Sequence, residues 1–331
     1  MTKQSILSVT PKVSVTVPTY NHGHWLAECL DSIVTQKTNF PFEIIVADDA
    51  STDPLSRDIF DEYASRYPEL IVPVKHETNI GPWRNYVDLM NRARTEYIAH
   101  CDGDDMMLPG KLQKQADFLD AHPNFSVVGH KAFIQKPDGT RKKSQTDCGK
   151  LILTIDDILE QEQQFINSST MSRKSLQTIW TLDGIVFDQL VMIDRAIKGP
   201  VGIIDEILGV YRIGVGIYAA ERGTINKAYH QSLDFALARG CDPMSVLIGA
   251  VRFDPFNAPQ RLLKKQIVLD ALSKSDYHKI SKINHLKTKM GMTGLFLLRK
   301  WPPLVQGFAF LWGIAIRLLK PIKKFLKKVI K

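Results

Sequence analysis

Three aspartates stand within four residues at the end of a short apolar stretch of this sequence. Residues 97–101 (Tyr-Ile-Ala-His-Cys) predict a buried strand, and Asp102, Asp104 and Asp105 follow it directly, with Gly103 between the first two. Carboxylates crowded in this way repel one another, so they must raise their pKa values, stay well solvated or share a cation. Mg²⁺ and Mn²⁺ suit this set, because a hard cation takes one or two carboxylates and completes its shell with phosphate oxygens and water. The same short pattern is also typical of a solvated acidic turn, so its setting has to decide.

A second pair of aspartates follows another predicted strand. Residues 42–47 are nearly continuous in apolar side chains, which is typical of a parallel strand covered on both faces, and they lead into Asp48 and Asp49. Ligands of open α/β sheets bind beyond the carboxyl ends of the strands. Since Asp102 and Asp104 also follow a strand end, we expect both pairs at one edge of a sheet. This favours a binding site over a solvated turn.

The elements that would position these residues alternate regularly. The predicted strands are residues 13–17, 42–47, 70–75 and 97–101, and the predicted helices are residues 25–35, 54–66, 82–93 and 109–121. Pro18 is expected to end the first strand, and Asp53 before Pro54 predicts a helix N-cap followed by a first-turn proline. The alternation predicts an α/β fold with a doubly wound, mostly parallel sheet.

The second half of the chain gives a weaker pattern. Residues 125–135 and the turn at 137–140 predict further strands in a hairpin or at an edge. The remaining expectations are a short helix at 154–162 capped by Thr154, a polar irregular segment at 168–176, a helix at 187–197, two short strands within 201–212 broken at Asp205-Glu206, and helices at 221–239, 244–253, 258–273 and 277–290.

Four segments together carry a family resemblance. They are Val-Ser-Val-Thr-Val-Pro-Thr-Tyr-Asn at 13–21, Glu-Ile-Ile-Val-Ala-Asp-Asp-Ala-Ser-Thr-Asp at 43–53, Asn-Ile-Gly with Arg-Asn at 79–85, and Glu-Tyr-Ile-Ala-His-Cys-Asp-Gly-Asp-Asp at 96–105. In this order the chain resembles a family 2 glycosyltransferase of the GT-A fold over about residues 13–125, with fainter similarity to about Tyr218. The resemblance implies a nucleotide-sugar donor, a divalent metal (Mn²⁺ or Mg²⁺) and inversion at the anomeric carbon.

The resemblance also implies roles for individual residues. It places four of them around the nucleoside of the donor: Pro18, Tyr20, Asp49 and Arg84. Asp49 would accept a hydrogen bond from a base N–H. Asp102 would face the ribose or a metal-bound water, and Asp104 would bind the metal against the diphosphate. Asp105 would either support these ligands from behind or begin the next helix.

Direct inverting displacement needs a base that takes the proton of the acceptor hydroxyl. The family usually supplies an Asp or Glu from a helix start in the second half of the domain, and residues 187–190 resemble that region and place Asp188 in the base position. Three other aspartates compete for this assignment: Asp183, Asp194 and Asp205.

One position departs from the family pattern. Relatives often carry a His shortly after a Tyr-Arg pair, where this chain has Gly214, so Arg212, Tyr218 or a backbone amide would have to contact the diphosphate. Two alternatives from other functional classes stay open. One is a nucleotidyltransferase, which would release diphosphate, and the other is a non-catalytic membrane protein that binds a nucleotide-sugar.

The charge of the chain is divided unevenly. The formal net charge is +8, but residues 277–331 hold thirteen Lys and Arg and no Asp or Glu, which leaves 30 basic and 35 acidic side chains in the rest. Within residues 318–330 the apolar side chains follow helical spacing with lysines between them, which predicts a basic amphipathic helix on an anionic membrane surface. The apolar residues 304–316 are too few to span a bilayer. A partner-protein groove or nucleic acid explains the combination of charge and apolar stripe less well, and we expect no nucleic-acid partner.

These observations lead to one prediction for the whole chain. Four scattered cysteines and the absence of a recognisable signal peptide favour a reducing, cytoplasmic location. We expect a GT-A catalytic domain at 1–220, a helical region at 221–300 and a membrane-associating tail at 301–331. Together with the chemistry, the tail suggests a lipid-linked glycan acceptor at the inner face of the plasma membrane, as in bacterial surface polysaccharide synthesis.

Overall fold

The structure is a computed structural model of the chain. It describes residues 10–144, 150–160, 166–176, 188–214, 222–253, 261–262 and 265–274. The helix expected at 277–290 and the basic tail at 301–331 lie outside these ranges.

Strands and helices alternate through the first 121 residues, as predicted. Within the described ranges the strands are β1 (Val13–Thr19), β2 (Phe42–Asp48), β3 (Ile71–Lys75), β4 (Tyr97–His100), β5 (Met106–Met107), β6 (Val127–Gln135), β7 (Arg141–Lys143), β8 (Ile152–Leu153), β9 (Met171–Arg173) and β10 (Val201–Arg212). The helices there are α1 (Gly23–Val34), α2 (Pro54–Arg66), α3 (Pro82–Arg92), α4 (Lys111–Ala121), α5 (Ile155–Glu160), α6 (Asp188–Lys198), α7 (Arg222–Ala238), α8 (Pro243–Phe253) and α9 (Gln266–Lys274).

All ten of these strands join one sheet. Its order is β3-β2-β1-β4-β9-β6-β10-β5, with β7 paired to β6 and β8 paired to β10. Strands β1 to β4 are mutually parallel, and β10 runs parallel to β6. The predicted mostly parallel, doubly wound α/β sheet is therefore confirmed.

The interior of the sheet explains why its first strands are so apolar. Val13, Val15 and Val17 of β1 are fully buried, and Leu26 and Leu30 of α1 belong to the same core cluster. A central parallel strand is covered by helices on both faces, so it loses the alternation of an exposed strand.

The expected helix cap at Asp53 is confirmed. Its carboxylate accepts the backbone N–H groups of Leu55 and Ser56 at the start of α2, and Pro54 occupies the first turn. The expected end of β1 at Pro18 is wrong by two residues, because the strand continues to Thr19 and pairs there with Asp48.

The segment expected to be irregular, residues 168–176, contains a strand in the middle of the sheet. Met171–Arg173 forms β9, which runs antiparallel between β4 and β6. Three residues are too few to show the alternation of a strand. Two of them, Ser172 and Arg173, are polar, so the sequence did not indicate a strand inside the sheet. The two short strands expected within 201–212 are one strand, β10, with register irregularities near Ile204 and Ile207.

The chain divides into two compact units. The first comprises residues 1–158 and 163–232, and the second residues 159–162 and 233–331. The sheet belongs to the first unit. In the second, α8 packs against α9. The expected domain boundaries at 220 and 300 stay predictions. None of the helices in the described ranges combines the length and apolarity needed to cross a bilayer.

Candidate active site

Several chain segments meet at the edge of the sheet where its parallel strands end. β1 ends at Thr19, β2 at Asp48, β4 at His100 and β10 at Arg212. Because β9 is antiparallel to β4, it begins at this same edge, and the turn that contains Ser168 precedes it. The expected convergence of Asp48, Asp49, Asp102 and Asp104 follows from this topology.

Asp102 is the most firmly held member of the acidic loop, by which we mean residues 102–105. The His100 ring nitrogen Nε2 lies 3.1 Å from its Oδ1, and the Ser168 hydroxyl donates to its Oδ2 at 3.0 Å. Burial opposes ionisation, but the charge and hydrogen bond of His100 and the hydroxyl of Ser168 keep the pKa of Asp102 below its usual range. The side chain is still 37% exposed, so Asp102 is an ionised carboxylate that is held from one side and open on the other.

Gly103 allows the acidic loop to lie against the end of β1. Its N–H donates to the carbonyl of Pro18 at 3.0 Å. A Cβ at this position would lie 2.9 Å from Nδ1 of His22 and 3.0 Å from both the Pro18 oxygen and the Thr19 Cβ. Such contacts are too short for a real side chain. The glycine is therefore required for close approach of two backbones.

Asp104 and Asp105 differ in their surroundings. Asp105 is fully buried, and its Oδ1 accepts the backbone N–H of Arg212 at 2.9 Å. Burial and the charges of Asp104 and Asp102 raise the pKa of Asp105 well above its usual range. Burial also raises the pKa of Asp104, where His22 opposes the effect and Asp102 adds to it. Asp105 therefore ties the loop to β10, whereas Asp104 is the crowded carboxylate at the site.

Arg212 holds the acidic loop from the end of β10. Its side chain is 3% exposed, its Nη1 donates to the carbonyl of Asp104 at 2.6 Å, and its Nη2 pairs with Glu28 of α1. These bonds give Arg212 a structural contact with the loop. Gly214 has a φ of +83°, a left-handed backbone that disfavours a His at this position, and Tyr218 lies outside the described residues.

Asp49 connects the end of β2 with the start of α3. Its Oδ1 accepts the N–H of Ile80 at 2.7 Å and its Oδ2 accepts that of Gly81 at 3.0 Å. Its own N–H donates to the carbonyl of Thr19 at 3.0 Å. The carboxylate is 2% exposed, so its first role is to hold this turn.

The other expected nucleoside contacts surround Asp49. Pro18 and Tyr20 flank Thr19, and Tyr20 is 41% exposed. Arg84 lies exposed in the first turn of α3, the helix whose start Asp49 holds. The four residues expected around the nucleoside (Pro18, Tyr20, Asp49 and Arg84) thus lie at one end of this sheet edge, which we call the corner around Asp49. Their contact with a nucleoside stays a prediction.

Tyr86 of α3 contacts both His100 at the end of β4 and Arg195 in the last turn of α6. Its ring packs edge-on against His100 with centroids 5.2 Å apart, and its hydroxyl lies 3.0 Å from Nη2 of Arg195. Burial raises the pKa of Tyr86, Arg195 opposes the rise, and the carboxylates of Asp188 and Asp102 add to it. Tyr86 therefore links the end of β4, which leads into the acidic loop, to the helix that begins at Asp188.

The competing aspartates differ from Asp188. Asp194 is buried and forms an ion pair with Lys198 at 2.6 Å. Asp205 pairs with Lys131 at the irregular part of β10. Asp183 lies outside the described residues. Asp188 is the described candidate at a helix start, since it lies in the first turn of α6, and its role as a base stays a prediction.

A divalent metal has to be tested against the residues present. No group of three His, Cys, Asp or Glu side chains forms a complete metal site in the part of the chain that the structure describes. Mg²⁺ and Mn²⁺, however, are held by one or two carboxylates when substrate phosphates complete the shell. The open carboxylate of Asp102 and the crowded one of Asp104 fit this incomplete kind of site.

Sequence reasoning missed three residues of this region: Ser168, Lys111 and Tyr86. Ser168 belongs to the segment that was predicted to be polar and irregular, and strand β9, which follows Ser168 in the structure, was not predicted. Lys111 sits at the start of a helix, where a lysine is normally solvated, but its side chain is fully buried. Tyr86 lies within the helix expected at 82–93, but its burial and its neighbours were not predicted.

Comparison with known proteins gives a family match over half of the chain. A sequence model described as glycosyl transferase family 2 matches residues 14–181. An uncharacterised protein of Mycobacterium tuberculosis (strain H37Rv) is 35% identical over 202 residues, which are 60% of this chain and 58% of that protein. The poly(ribitol-phosphate) beta-glucosyltransferase of Bacillus spizizenii is 38% identical over 119 residues, 36% of this chain and 19% of the relative. The chain thus spans less than two thirds of the length of these relatives.

Solved structures share the fold at low sequence identity. S. aureus TarS 1–349 in complex with UDP-GlcNAc superposes with a TM-score of 0.60 at 19% identity, covering 92% of this chain and 88% of that chain. The mannosyltransferase PcManGT of Pyrobaculum calidifontis in complex with GDP-Man and Mn²⁺ gives a TM-score of 0.55 at 19% identity, covering 94% and 87%. These likenesses confirm the expected GT-A type of fold.

Proposed function

This chain belongs to glycosyl transferase family 2, and from that premise we propose that it is a metal-dependent, inverting glycosyltransferase. Its donor is a nucleotide-sugar and its acceptor a lipid-linked glycan at the cytoplasmic face of the plasma membrane, in bacterial surface polysaccharide synthesis. The three proposed chemical roles (metal binding, donor binding and proton removal) are taken by Asp104 with Asp102, by the corner around Asp49, and by Asp188.

One observation carries the proposal. Asp102 of the acidic loop and Asp188 of α6 come from segments more than 80 residues apart, yet Tyr86 contacts both segments. Its ring packs against His100, which contacts Asp102, and its hydroxyl lies 3.0 Å from Nη2 of Arg195 in α6. Separate carboxylates that converge at the carboxyl edge of a parallel sheet are what a transfer reaction between a phosphorylated donor and a hydroxyl acceptor needs.

The donor diphosphate belongs beside the acidic loop. Asp104 and Asp102 would hold Mn²⁺ or Mg²⁺, which when bound supplies positive charge to the departing nucleoside diphosphate. Asp102 is held ionised by His100 and Ser168 and keeps an exposed side. Arg212 keeps the loop in place, because its backbone N–H donates to Asp105 and its side chain donates to the carbonyl of Asp104. The chain thus presents carboxylate oxygens at a fixed position before a donor binds.

The nucleoside belongs at the neighbouring corner. Pro18 and Tyr20 lie at the end of β1, and Asp49 links that end to α3. Tyr20 is exposed, as a stacking side chain must be before its ligand binds. Each oxygen of Asp49 retains a second lone pair, with which it can accept a base N–H. Arg84, in the first turn of α3, supplies positive charge close to this corner.

Asp188 takes the proton of the acceptor hydroxyl. It lies in the first turn of α6, the helix whose Arg195 contacts the Tyr86 hydroxyl. The Arg195 side chain is buried two turns further along this helix.

The acceptor and the location rest on the sequence of the tail and on the relatives. Six lysines interleaved with apolar residues in 318–331 favour an anionic membrane surface, each contributing about 1 kcal/mol near it. A relative that matches 36% of this chain is named a poly(ribitol-phosphate) beta-glucosyltransferase. Both support a lipid-linked precursor of a surface glycan as acceptor.

The proposal is tested with a panel of nucleotide-sugars in the presence of Mn²⁺. Binding is followed by thermal unfolding, and reaction by release of nucleoside diphosphate with membrane extract as acceptor. Asp188→Asn should abolish release while donor binding stays near the wild-type level, whereas Asp104→Asn should weaken binding in Mn²⁺ as well. Release of diphosphate in place of nucleoside diphosphate would indicate a nucleotidyltransferase. Transfer by Asp188→Asn within a few-fold of wild type would remove Asp188 from the role of base.

A further inference from the structure

Asp102 sits in a closed network of polar contacts. Oδ1 lies 3.1 Å from Nε2 of His100, and Oδ2 accepts the hydroxyl of Ser168 at 3.0 Å. The backbone N–H of Asp102 donates to the same Ser168 oxygen at 3.0 Å. Ser168 therefore grips both the main chain and the side chain of Asp102, while His100 fixes the second carboxylate oxygen.

A buried lysine joins the two residues that hold Asp102. Nζ of Lys111 donates to the carbonyl of His100 at 3.2 Å and to the carbonyl of Ser168 at 2.5 Å. The carbonyl of His100 belongs to the end of β4, and that of Ser168 belongs to the turn before β9. The lysine therefore bridges β4 and the start of β9. Lys111 itself does not bond to Asp102.

Burying the Lys111 side chain costs folding free energy that an apolar side chain would not cost. Lysine is almost never fully buried without a carboxylate partner, and an apolar side chain of similar size often stabilises such a position better. Burial lowers the pKa of Lys111, and the nearby groups Cys101, Asp105, Cys29 and Asp102 oppose this. The Lys111 amine thus lies between the carbonyls of the two residues that hold Asp102.

We propose that Ser168 and Lys111 are positioning residues, which fix the orientation of Asp102 so that its free lone pairs face the donor diphosphate and its cation. His100 belongs to the same network. This inference rests on the proposed function for the identity of the ligand, but the positioning itself does not depend on it. The 37% of the side chain that remains exposed is the part offered to the ligand.

The chain offers a matched control for Ser168. Ser169 lies beside it in the same short turn and is equally buried, but its hydroxyl donates to the carbonyl of Ile166 at 2.7 Å and does not contact Asp102. Ser168→Ala and Ser169→Ala therefore remove the same atom from adjacent positions. Ser168→Thr restores the hydroxyl, and Lys111→Arg retains the charge where Lys111→Met does not.

The first measurement needs no ligand. Hydrogen exchange at the Asp102 amide, followed by NMR, should be at least tenfold faster in Ser168→Ala than in Ser169→Ala, because only the first variant removes the acceptor of that N–H. Ser168→Thr should return towards the wild-type rate. Equal exchange rates in the two alanine variants would overturn the positioning.

The second measurement tests the consequence for the ligand. Mn²⁺ affinity in the presence of the nucleoside diphosphate that binds the wild type best, measured by electron paramagnetic resonance, should fall ten- to a hundredfold in Ser168→Ala and be unchanged in Ser169→Ala. Lys111→Met should show the same loss and Lys111→Arg a smaller one; if Lys111→Met does not fold, Ser168→Ala decides. Equal affinity in the two alanine variants would refute the inference. A wild type that binds no nucleoside diphosphate would refute the proposed function instead, and the exchange rates would still decide the positioning.

Discussion

Replacement of Asp49 by Asn separates the two roles that this residue can have. The sequence predicts a contact with the nucleobase, and the structure gives the carboxylate two backbone N–H donors, from Ile80 and Gly81. Asn has almost the same shape, so the packing of the 2% exposed side chain is retained. It has only one acceptor oxygen, however, and its NH₂ group would face the second N–H.

The size of the effect follows from these contacts. A hydrogen bond to a charged group contributes about 1.5 to 3 kcal/mol, and Asp49→Asn loses one such bond and weakens the other. The negative charge near the start of α3 contributes a further 0.3 to 1 kcal/mol, roughly. We therefore expect a loss of about 2 to 4 kcal/mol. For a unit of this size, that lowers Tm by about 4 to 16 °C.

The measurement combines thermal unfolding with nucleotide binding, and Asp53→Asn is the control. Asp53 also accepts two backbone N–H groups at a helix start, but at the more exposed α2 and without an expected nucleotide contact. Asp49→Asn should lose both stability and nucleotide affinity, whereas Asp53→Asn should lose only some stability. Unfolding of Asp49→Asn within 1 °C of wild type would refute the structural role. Unchanged nucleotide affinity in the folded variant would refute the base contact.

Three further predictions concern the acidic loop, the core and the tail. Gly103→Ala should weaken Mn²⁺-dependent nucleotide binding at least tenfold, because its Cβ would lie 2.9 Å from Nδ1 of His22; Gly139→Ala, in an open turn with φ +82°, should cost stability without this loss. Burial, with Lys111 nearby, keeps the pKa of His130 well below 6.5, so below that pH only the unfolded chain gains this proton. Stability should then fall by up to about 1.4 kcal/mol per pH unit, and denaturant titrations of His130→Gln should show a shallower decline. Deletion of residues 304–331 should move the protein from the membrane fraction to the soluble one, and unchanged sedimentation would contradict the proposed tail.

The sequence was sufficient to predict the parts of the site that follow long, regular elements. Asp49 and Asp102 stand directly after strands with clear apolar patterns, and parallel strands must bring their carboxyl ends to one edge. The cap at Asp53 was also visible, since its signature is local. The sequence therefore predicted those residues whose positions are set by adjacent residues of the chain.

The residues that the sequence analysis missed depend on pairing between distant segments. Ser168 reaches Asp102 because β9 runs antiparallel between β4 and β6, and three residues of strand give no recognisable period. The burial of Lys111 follows from the carbonyls that converge on it, and these come from β4 and from the turn before β9. Neither placement has a local signature, so no reading of nearby residues could have supplied it.

The three carboxylates of the acidic loop can lie close together because each has a different environment. Asp102 is ionised because His100 and Ser168 donate to it, and Asp105 is buried behind the loop, where it accepts the N–H of Arg212. Asp104 differs from both, since no side chain in the described ranges donates a hydrogen bond to it, and burial raises its pKa. A cation bound there would relieve this cost directly, because it lowers the energy of the ionised form. Asp104 should therefore gain most from metal binding, and Asp104→Asn should stabilise the metal-free protein relative to Asp102→Asn, which removes one of the two acceptor oxygens that existing contacts use.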